Sequence, residues 1–200
     1  MNTIIGTDAA KLAGLLIDLS QKIRSGQVTL DQLEWFNKLT RKEREQLSVS
    51  RIITVDRARP FNPVELLGPG WTIDEQDKWA LSLNRIDLAN VRLEHMLKEN
   101  ETGITGEERL KRVKKAGHIR LDAKVFQKLW ENQKLIPESW KEKTDGYTNF
   151  IFFDGTILRN PLGDRCALYF HWDDSRWSSG HVWLEEDRYV DYPSAVITSI

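Results

Sequence analysis

His171, Asp173, Asp174 and His181 are the side chains in this chain whose types and spacing come nearest to chemistry. Imidazoles and carboxylates hold divalent ions and activate water. The set therefore raises a metal-dependent hydrolase or nuclease at the 171–174 hairpin. Its spacing argues against convergence. A hairpin tip at Asp174-Ser175 pairs Trp172 with Trp177, Phe170 with Ser179, Leu168 with His181 and Cys166 with Trp183. Alternation along the strands then sends His171 and His181 to opposite faces. Adjacent aspartates in a tight turn diverge, and Asp173 falls across from Arg176, where an ion pair satisfies both. No catalytic residue, metal ligand or cofactor is assigned on this basis. Cys166, on an apolar strand, reads as an inert small hydrophobe.

The same strands are rich in aromatic residues. In the register above, Cys166, Leu168, Phe170, Trp172, Trp177 and Trp183 share one face; Ala167, Tyr169, His171, Ser178, Gly180 and Val182 share the other. The first face is expected to be core, packed by Val125, Phe126, Leu129 and Trp130 of a preceding helix. The alternative is that part of the aromatic sheet stays open as a stacking surface. Its contact residues would then be Tyr169, His171, Trp172, Trp177 and Trp183.

A third candidate is the run RLKRVKKAGHIR at 109–120, with six bases and no acid. Lys111, Arg112, Lys114 and Lys115 could contact phosphate and would make the chain a nucleic-acid-associated accessory protein. The competing expectation is a solvated face balanced by acids such as Glu185, Glu186 and Asp187. His95 and His118 flank the run and are expected to be solvated. The N-terminal helices mimic a helix-turn-helix, but Glu34, Glu43 and Glu45 beside the bases weaken DNA binding. The sequence carries no Gly-rich phosphate loop, no zinc spacing and no GxSxG.

The elements that would position these residues follow from periodicity and capping. Leu12, Leu15, Leu16, Leu19 and Ile23 form one helical stripe, with Thr7 or Asp8 as its cap and Gly26 beyond its end. Thr29 with Gln32, and Thr40 with Glu43, are capping boxes for two further helices; Leu30, Leu33 and Phe36 give the second its apolar face. Ile52 to Val55 reads as a strand, followed by an irregular crossing through Pro60, Pro63, Gly68, Pro69 and Gly70 and a polar, turn-like TIDEQDK. LSLNRIDLANVRLEHML is expected to be extended, with a helix over 87–98 as the competing reading. Thr105 and Glu108 open a helix that Gly117 closes; Asp122 caps another, which Pro137 ends before a short turn carrying Trp140. From Tyr147 the chain reads as β. Asp154-Gly155 is expected to be a type I′ hairpin turn, NPLG at 160–163 a second turn, and strands follow at 164–172, 176–184 and about 188–192.

The bulk numbers fit this picture. The 200 residues are 40% hydrophobic and 30% charged, with net charge −1 and a single cysteine, which points to a globular chain in a reducing compartment without global attraction to nucleic acid or membrane. The N-terminus lacks a basic lead, and Asp8, Lys11 and Asp18 interrupt its apolar run, so neither a signal peptide nor a span is expected. Eight tryptophans are the compositional oddity.

The stretch from Gly106 to Cys166, PSAV at 193–196, GWTIDEQD at 70–77 and LNRIDLANVRLEHML at 83–97 together resemble conserved hypothetical proteins of uncultured candidate-phylum bacteria. The resemblance covers most of residues 50–200. It implies a cytoplasmic bacterial setting and transfers no activity, cofactor or site. The resulting expectation is an α+β protein. A helical module spans 1–48; a domain at 49–200 has two amphipathic helices packed on a C-terminal antiparallel, aromatic-rich β-meander at 147–192. The leading functional expectation is a non-enzymatic cytoplasmic interaction module with a macromolecular partner, a protein rather than nucleic acid or membrane.

Overall fold

The computed structural model describes residues 16–25, 29–38 and 52–198, and the chain divides into two compact units, Met1–Val49 and Ser50–Ile200. In the first unit the described residues 16–24 are helical (α1), and α2 spans Leu30–Lys38. Asp18 and Lys22 of α1 form an i,i+4 ion pair at 2.7 Å. Helix α2 starts directly after Thr29, with Asp31 in its first turn and Lys38 in its last, the order that the helix dipole favours. The expected caps at Thr7 or Asp8 and the expected third helix from Thr40 lie outside the described residues. No helix among the described residues is long and apolar enough to cross a membrane.

The second unit is α+β. Its elements are β1 (Ile52–Thr54), α3 (Pro63–Leu67), β2 (Thr72–Gln76), α4 (Lys78–Ser82), β3 (Arg85–Asp87), β4 (Val91–Glu94), β5 (Ile104–Thr105), α5 (Gly106–Lys115), β6 (Ile119–Arg120), α6 (Ala123–Glu131), β7 (Lys143–Thr144), β8 (Tyr147–Thr148), β9 (Ile151–Arg159), β10 (Arg165–Trp172), β11 (Trp177–Trp183), β12 (Asp187–Arg188) and β13 (Ser194–Ile197). The main sheet runs β11-β10-β9-β13-β4, with β2 added on β9 and β6 on β13. All its pairings are antiparallel except the single contact of β13 with β9.

The two amphipathic helices cover opposite faces of this sheet. Val125, Phe126 and Leu129 of α6 pack with Cys166, Leu168, Phe170 and Trp177 in the larger core, as alternation and the helical stripe predict. Leu110 of α5 packs with Phe152, Ile157, Ala167 and Leu184 in a smaller core behind it. Strand β9 is therefore buried on both faces, which is why its sequence is a near-continuous apolar run. Caps behave as the sequence grammar demands. Thr105 Oγ1 accepts from the Glu108 amide at 3.2 Å, and Asp122 accepts from the Val125 amide at 3.0 Å.

Four expectations fail here. Asp154-Gly155 is not a turn but lies inside β9, a single nine-residue strand. Between the pairs Phe152↔Tyr169 and Ile157↔Ala167, residues 153–156 of β9 face only Leu168 of β10, so the strand bulges. The backbone of Gly155 is paired elsewhere: its amide donates to the Leu121 carbonyl at 2.9 Å, and its carbonyl accepts from the Asp77 amide at 2.7 Å. A dipeptide that favours a hairpin is here a bulge that receives the chain entering α6. TIDEQ is a strand rather than a turn, because its polar side chains lie along the rim of β9 and meet basic partners there. The crossing after Val55 contains a short helix, α3, capped by Asn62, with Pro63 at its start. The segment expected as a strand near 188–192 is only β12, and the sheet is completed instead by β13. The extended expectation over 81–97 holds only in part: β3 and β4 are strands, but Leu81 and Ser82 belong to α4 and Leu88–Asn90 form a 3-10 turn between the two strands. The turn at 160–163 and the β10–β11 register hold.

A Cβ at Gly155 would lie 2.2 Å from the Arg120 carbonyl oxygen and 2.7 Å from the Leu121 backbone. The 120–121 backbone, held by its hydrogen bonds, cannot yield, so Gly155→Ala is expected to cost about 2–3 kcal/mol. Urea unfolding checks this; an unchanged midpoint would mean that the bulge is not as tight as described.

Candidate functional site

The β10–β11 hairpin is built as its sequence implies. Asp173 donates its amide to the Arg176 carbonyl, and its carboxylate accepts from the Arg176 amide at 3.0 Å, from Arg176 Nε at 3.3 Å and from Ser178 Oγ at 3.1 Å. Partial desolvation raises the Asp173 carboxyl, but these hydrogen bonds outweigh it and hold the group well below the usual carboxylate range. Asp174 takes positive φ and pairs with Lys143. His171 and His181 lie on opposite faces. The His-Asp-Asp set is thus a closed hairpin tip, and no three His, Cys, Asp or Glu side chains among the described residues are placed to hold a metal.

The aromatic candidates divide by face. Trp177 is buried in the larger core, in edge contact with Trp172 at 5.5 Å, and Trp172 is half-buried under Lys141, whose Nζ lies 4.0 Å from the ring centre. Trp183 is 45% exposed, at the far end of the same strand. Cys166 is buried and burial pushes its thiol up to about 11, which keeps it protonated and unreactive.

Tyr169 and His171 stand on the opposite face, and the structure gathers three residues around them that the sequence did not single out. Phe150 stacks on His171 at 4.8 Å and touches Tyr169 at 5.3 Å and Tyr192 at 4.9 Å; Tyr189 continues the chain of rings, 5.8 Å from Tyr192. Phe150, Tyr169, His171 and Tyr192 are half-buried and Tyr189 is exposed. Tyr169 lies across Gly180 of β11, where a Cβ would meet its hydroxyl at 2.6 Å, so only glycine leaves the ring room to lie flat. No described residue hydrogen-bonds the hydroxyls of Tyr169, Tyr189 or Tyr192. His171 Nδ1 is buried without a partner.

Behind these rings sits a buried charged cluster. Arg109 of α5 is fully buried and donates to both oxygens of Asp154, at 3.1 and 3.0 Å, and to the Tyr192 carbonyl. Ser194 donates its hydroxyl to the same carboxylate. Arg188 is also fully buried, but its guanidinium finds only the carbonyls of Trp183, Glu186 and Asp187. Burial, with the Arg109 cation beside it, pushes Arg188 down to about 10. Both guanidinium groups lie against the Phe152 ring, at 4.3 and 4.8 Å. The open aromatic face therefore rests on a rigid, positively charged base.

Most of the basic run is paired with carboxylates. Arg109 is committed to Asp154, Arg112 to Glu101 and Glu108, Lys111 to Glu108, Lys114 to Glu75, and Arg120 to Glu75 and Asp77. Only Lys115 of these bases lacks a carboxylate among the described residues. The balancing acids are not Glu185, Glu186 and Asp187 but Glu75 of β2, Asp77 just after it, Glu101 of the loop before β5, Glu108 of α5 and Asp154 of β9. His95 and His118 are half-buried rather than solvated. His95 Nδ1 accepts from the Leu97 amide, and His118 Nδ1 is buried without a partner. A polar groove between the crossing after β1 and α6 mixes Arg59 and Lys128 with Asp56, Glu65 and Glu131, so no charge type dominates it.

Burial lowers the pKa of His171, with Asp173 partly opposing, and burial lowers that of His181 as well. Their neutral forms are favoured in the folded state. The stability they contribute is complete above the unfolded value of about 6.5 and is lost as pH falls through the lower folded values. Urea midpoints are expected to drop between neutral pH and pH 5, with a shallower drop in His171→Gln. An NMR titration placing the His171 midpoint above the free-imidazole value would overturn this.

No protein-family model matches the chain, and no curated protein or solved structure is significantly similar to it.

Proposed function

We propose that this chain is a non-enzymatic, cytoplasmic binding module whose contact surface is the aromatic face formed by Phe150, Tyr169, His171, Tyr189 and Tyr192. The observation that carries the proposal is the combination, on one sheet face, of rings in unbroken contact with three phenol hydroxyls that no described residue hydrogen-bonds. Such a surface offers large rigid contact area at low entropic cost, with donors at its rim. A macromolecular partner presenting apolar or planar groups flanked by hydrogen-bond acceptors suits it. The commitment of the basic run to ion pairs favours this reading over nucleic-acid binding. The closed hairpin tip favours it over metal-dependent hydrolysis.

The test is capture of a partner from extract by the immobilised full chain. Tyr189→Ala combined with His171→Ala is expected to reduce capture at least ten-fold with little change in melting temperature. Trp79→Ala, which alters a 61% exposed indole on α4, is expected to leave capture intact. Capture that ignores the first pair of changes, or a parent chain that captures nothing, overturns the proposal.

A further inference from the structure

The aromatic face has an acidic border. Segment 185–191, EEDRYVD, holds four acids and one base, and that base, Arg188, is buried. None of the four carboxylates forms an ion pair among the described residues. Asp191 lies in the turn where the Tyr192 amide donates to the Tyr189 carbonyl at 3.0 Å, so it sits in the loop carrying the two tyrosines whose rings meet edge-on at 5.8 Å. Its carbonyl accepts from the Phe150 amide at 2.7 Å, which fixes this turn against the chain of rings. The Asp191 side chain is half-buried. Burial pushes its carboxyl up, its own amide opposes, and the nearby Asp145 charge pushes it up further. Asp145 is exposed on the β7–β8 turn, at positive φ, and likewise has no basic partner among the described residues.

Two like charges held close, one of them partly out of water, cost free energy unless a cation meets them. The cations beneath the face do not. Arg109 is held by Asp154, and Arg188 is enclosed by the carbonyls of Trp183, Glu186 and Asp187, with Asp154 and Glu186 the carboxylates that act on its charge. Lys143, the base nearest in sequence to Asp145, is paired with Asp174 at 3.6 Å. The occupant that complements this border is therefore a cation, and the rings beside it narrow the choice. A flat guanidinium stacks on a tyrosine face and still presents its N–H fork to a carboxylate, whereas an ammonium is a strongly hydrated point charge. The hydroxyls of Tyr169, Tyr189 and Tyr192 can donate to the backbone carbonyls of the chain that carries it.

We propose that the aromatic face takes an arginine-bearing segment of a partner protein, with a guanidinium laid on the Tyr189 and Tyr192 rings and its N–H groups directed to Asp191 and Asp145. The inference rests on the aromatic-face reading and specifies what that face recognises.

The experiment is titration of the full chain, followed by NMR amide shifts, with a blocked Gly-Arg-Gly-Arg-Gly peptide and its lysine and citrulline counterparts. Citrulline keeps the planar group and loses the charge. The arginine peptide is expected to shift the amides of 189–192 and to bind about ten-fold tighter than either counterpart. Asp191→Asn and Asp145→Gly are each expected to weaken it several-fold, and the two together by about ten-fold or more. Asparagine keeps the shape of the aspartate at 191, and glycine suits the positive φ at 145, so melting temperatures are expected to stay unchanged. Glu131→Gln, on the helix that covers the opposite face of the sheet, is expected to leave binding intact. Equal binding of the lysine or citrulline peptide, or arginine binding indifferent to both aspartate substitutions, overturns the inference. If the arginine peptide fails to bind while capture from extract still depends on Tyr189 and His171, the arginine assignment falls and the aromatic-face reading stands; if both fail, that reading falls with it.

Discussion

The Arg109–Asp154 pair is the constraint on which the rest of the second unit depends. A guanidinium and a carboxylate taken fully out of water stay charged only if each meets its partner with good geometry and its remaining positions are hydrogen-bonded. Asp154 can meet Arg109 only because β9 bulges at this point. The same carboxylate receives Ser194, and the same guanidinium reaches the Tyr192 carbonyl, so one buried pair ties α5, β9 and the entry to β13 together. Next to it, Gly155 admits the Arg120–Leu121 backbone, which delivers the chain to the Asp122 cap of α6. Both helices are thus set against the sheet by adjacent residues of one irregular strand.

Charge elsewhere is used in the same structural way. Glu75 and Asp77 of the β2 segment collect Lys114 and Arg120, while Asp74 holds Arg159 and Arg165 at the open end of β9 and β10. Asp77 also caps α4 and accepts from the Arg120 amide. The exposed pairs among these contribute little singly, about 0–1 kcal/mol; Arg120–Asp77 is buried. The consequence of the pairs is that most bases of a strongly basic stretch of sequence sit beside carboxylates. The cluster behind the aromatic face is the exception: Arg109 is held by Asp154, while Arg188, equally buried, meets only backbone carbonyls.

Sequence rules worked where the interaction they encode is local. Thr105 and Asp122 cap their helices because a short oxygen side chain reaches amides two or three residues ahead in any context. The β10–β11 register is legible because the two strands are joined by a tight turn, which leaves one pairing that keeps Phe170 and Trp177 inside. The same logic places His171 and His181 on opposite faces, as the structure does. The same rules failed where a distant segment changed the answer. Asp154-Gly155 has the composition of a type I′ turn, and only the arrival of Arg109 and of the 120–121 backbone makes it a bulge. TIDEQ looks like a turn until Arg159, Arg165, Lys114 and Arg120 supply partners for its carboxylates.

The candidate site was half visible for the same reason. Tyr169 and His171 share a strand face by alternation, which any reader of the sequence can count. Phe150, Tyr189 and Tyr192 join them across gaps of about twenty residues or more, through the pairing of β9 with β10 and the return of the chain beside it; no periodicity encodes that. The sequence by itself therefore determined the α+β class, the helix starts and the hairpin with its alternating faces, because these follow from backbone geometry and neighbours within a few positions. The tertiary structure alone decided which aromatic residues gather and which cations are neutralised, because burial and ion pairing depend on segments that meet only after the chain has folded.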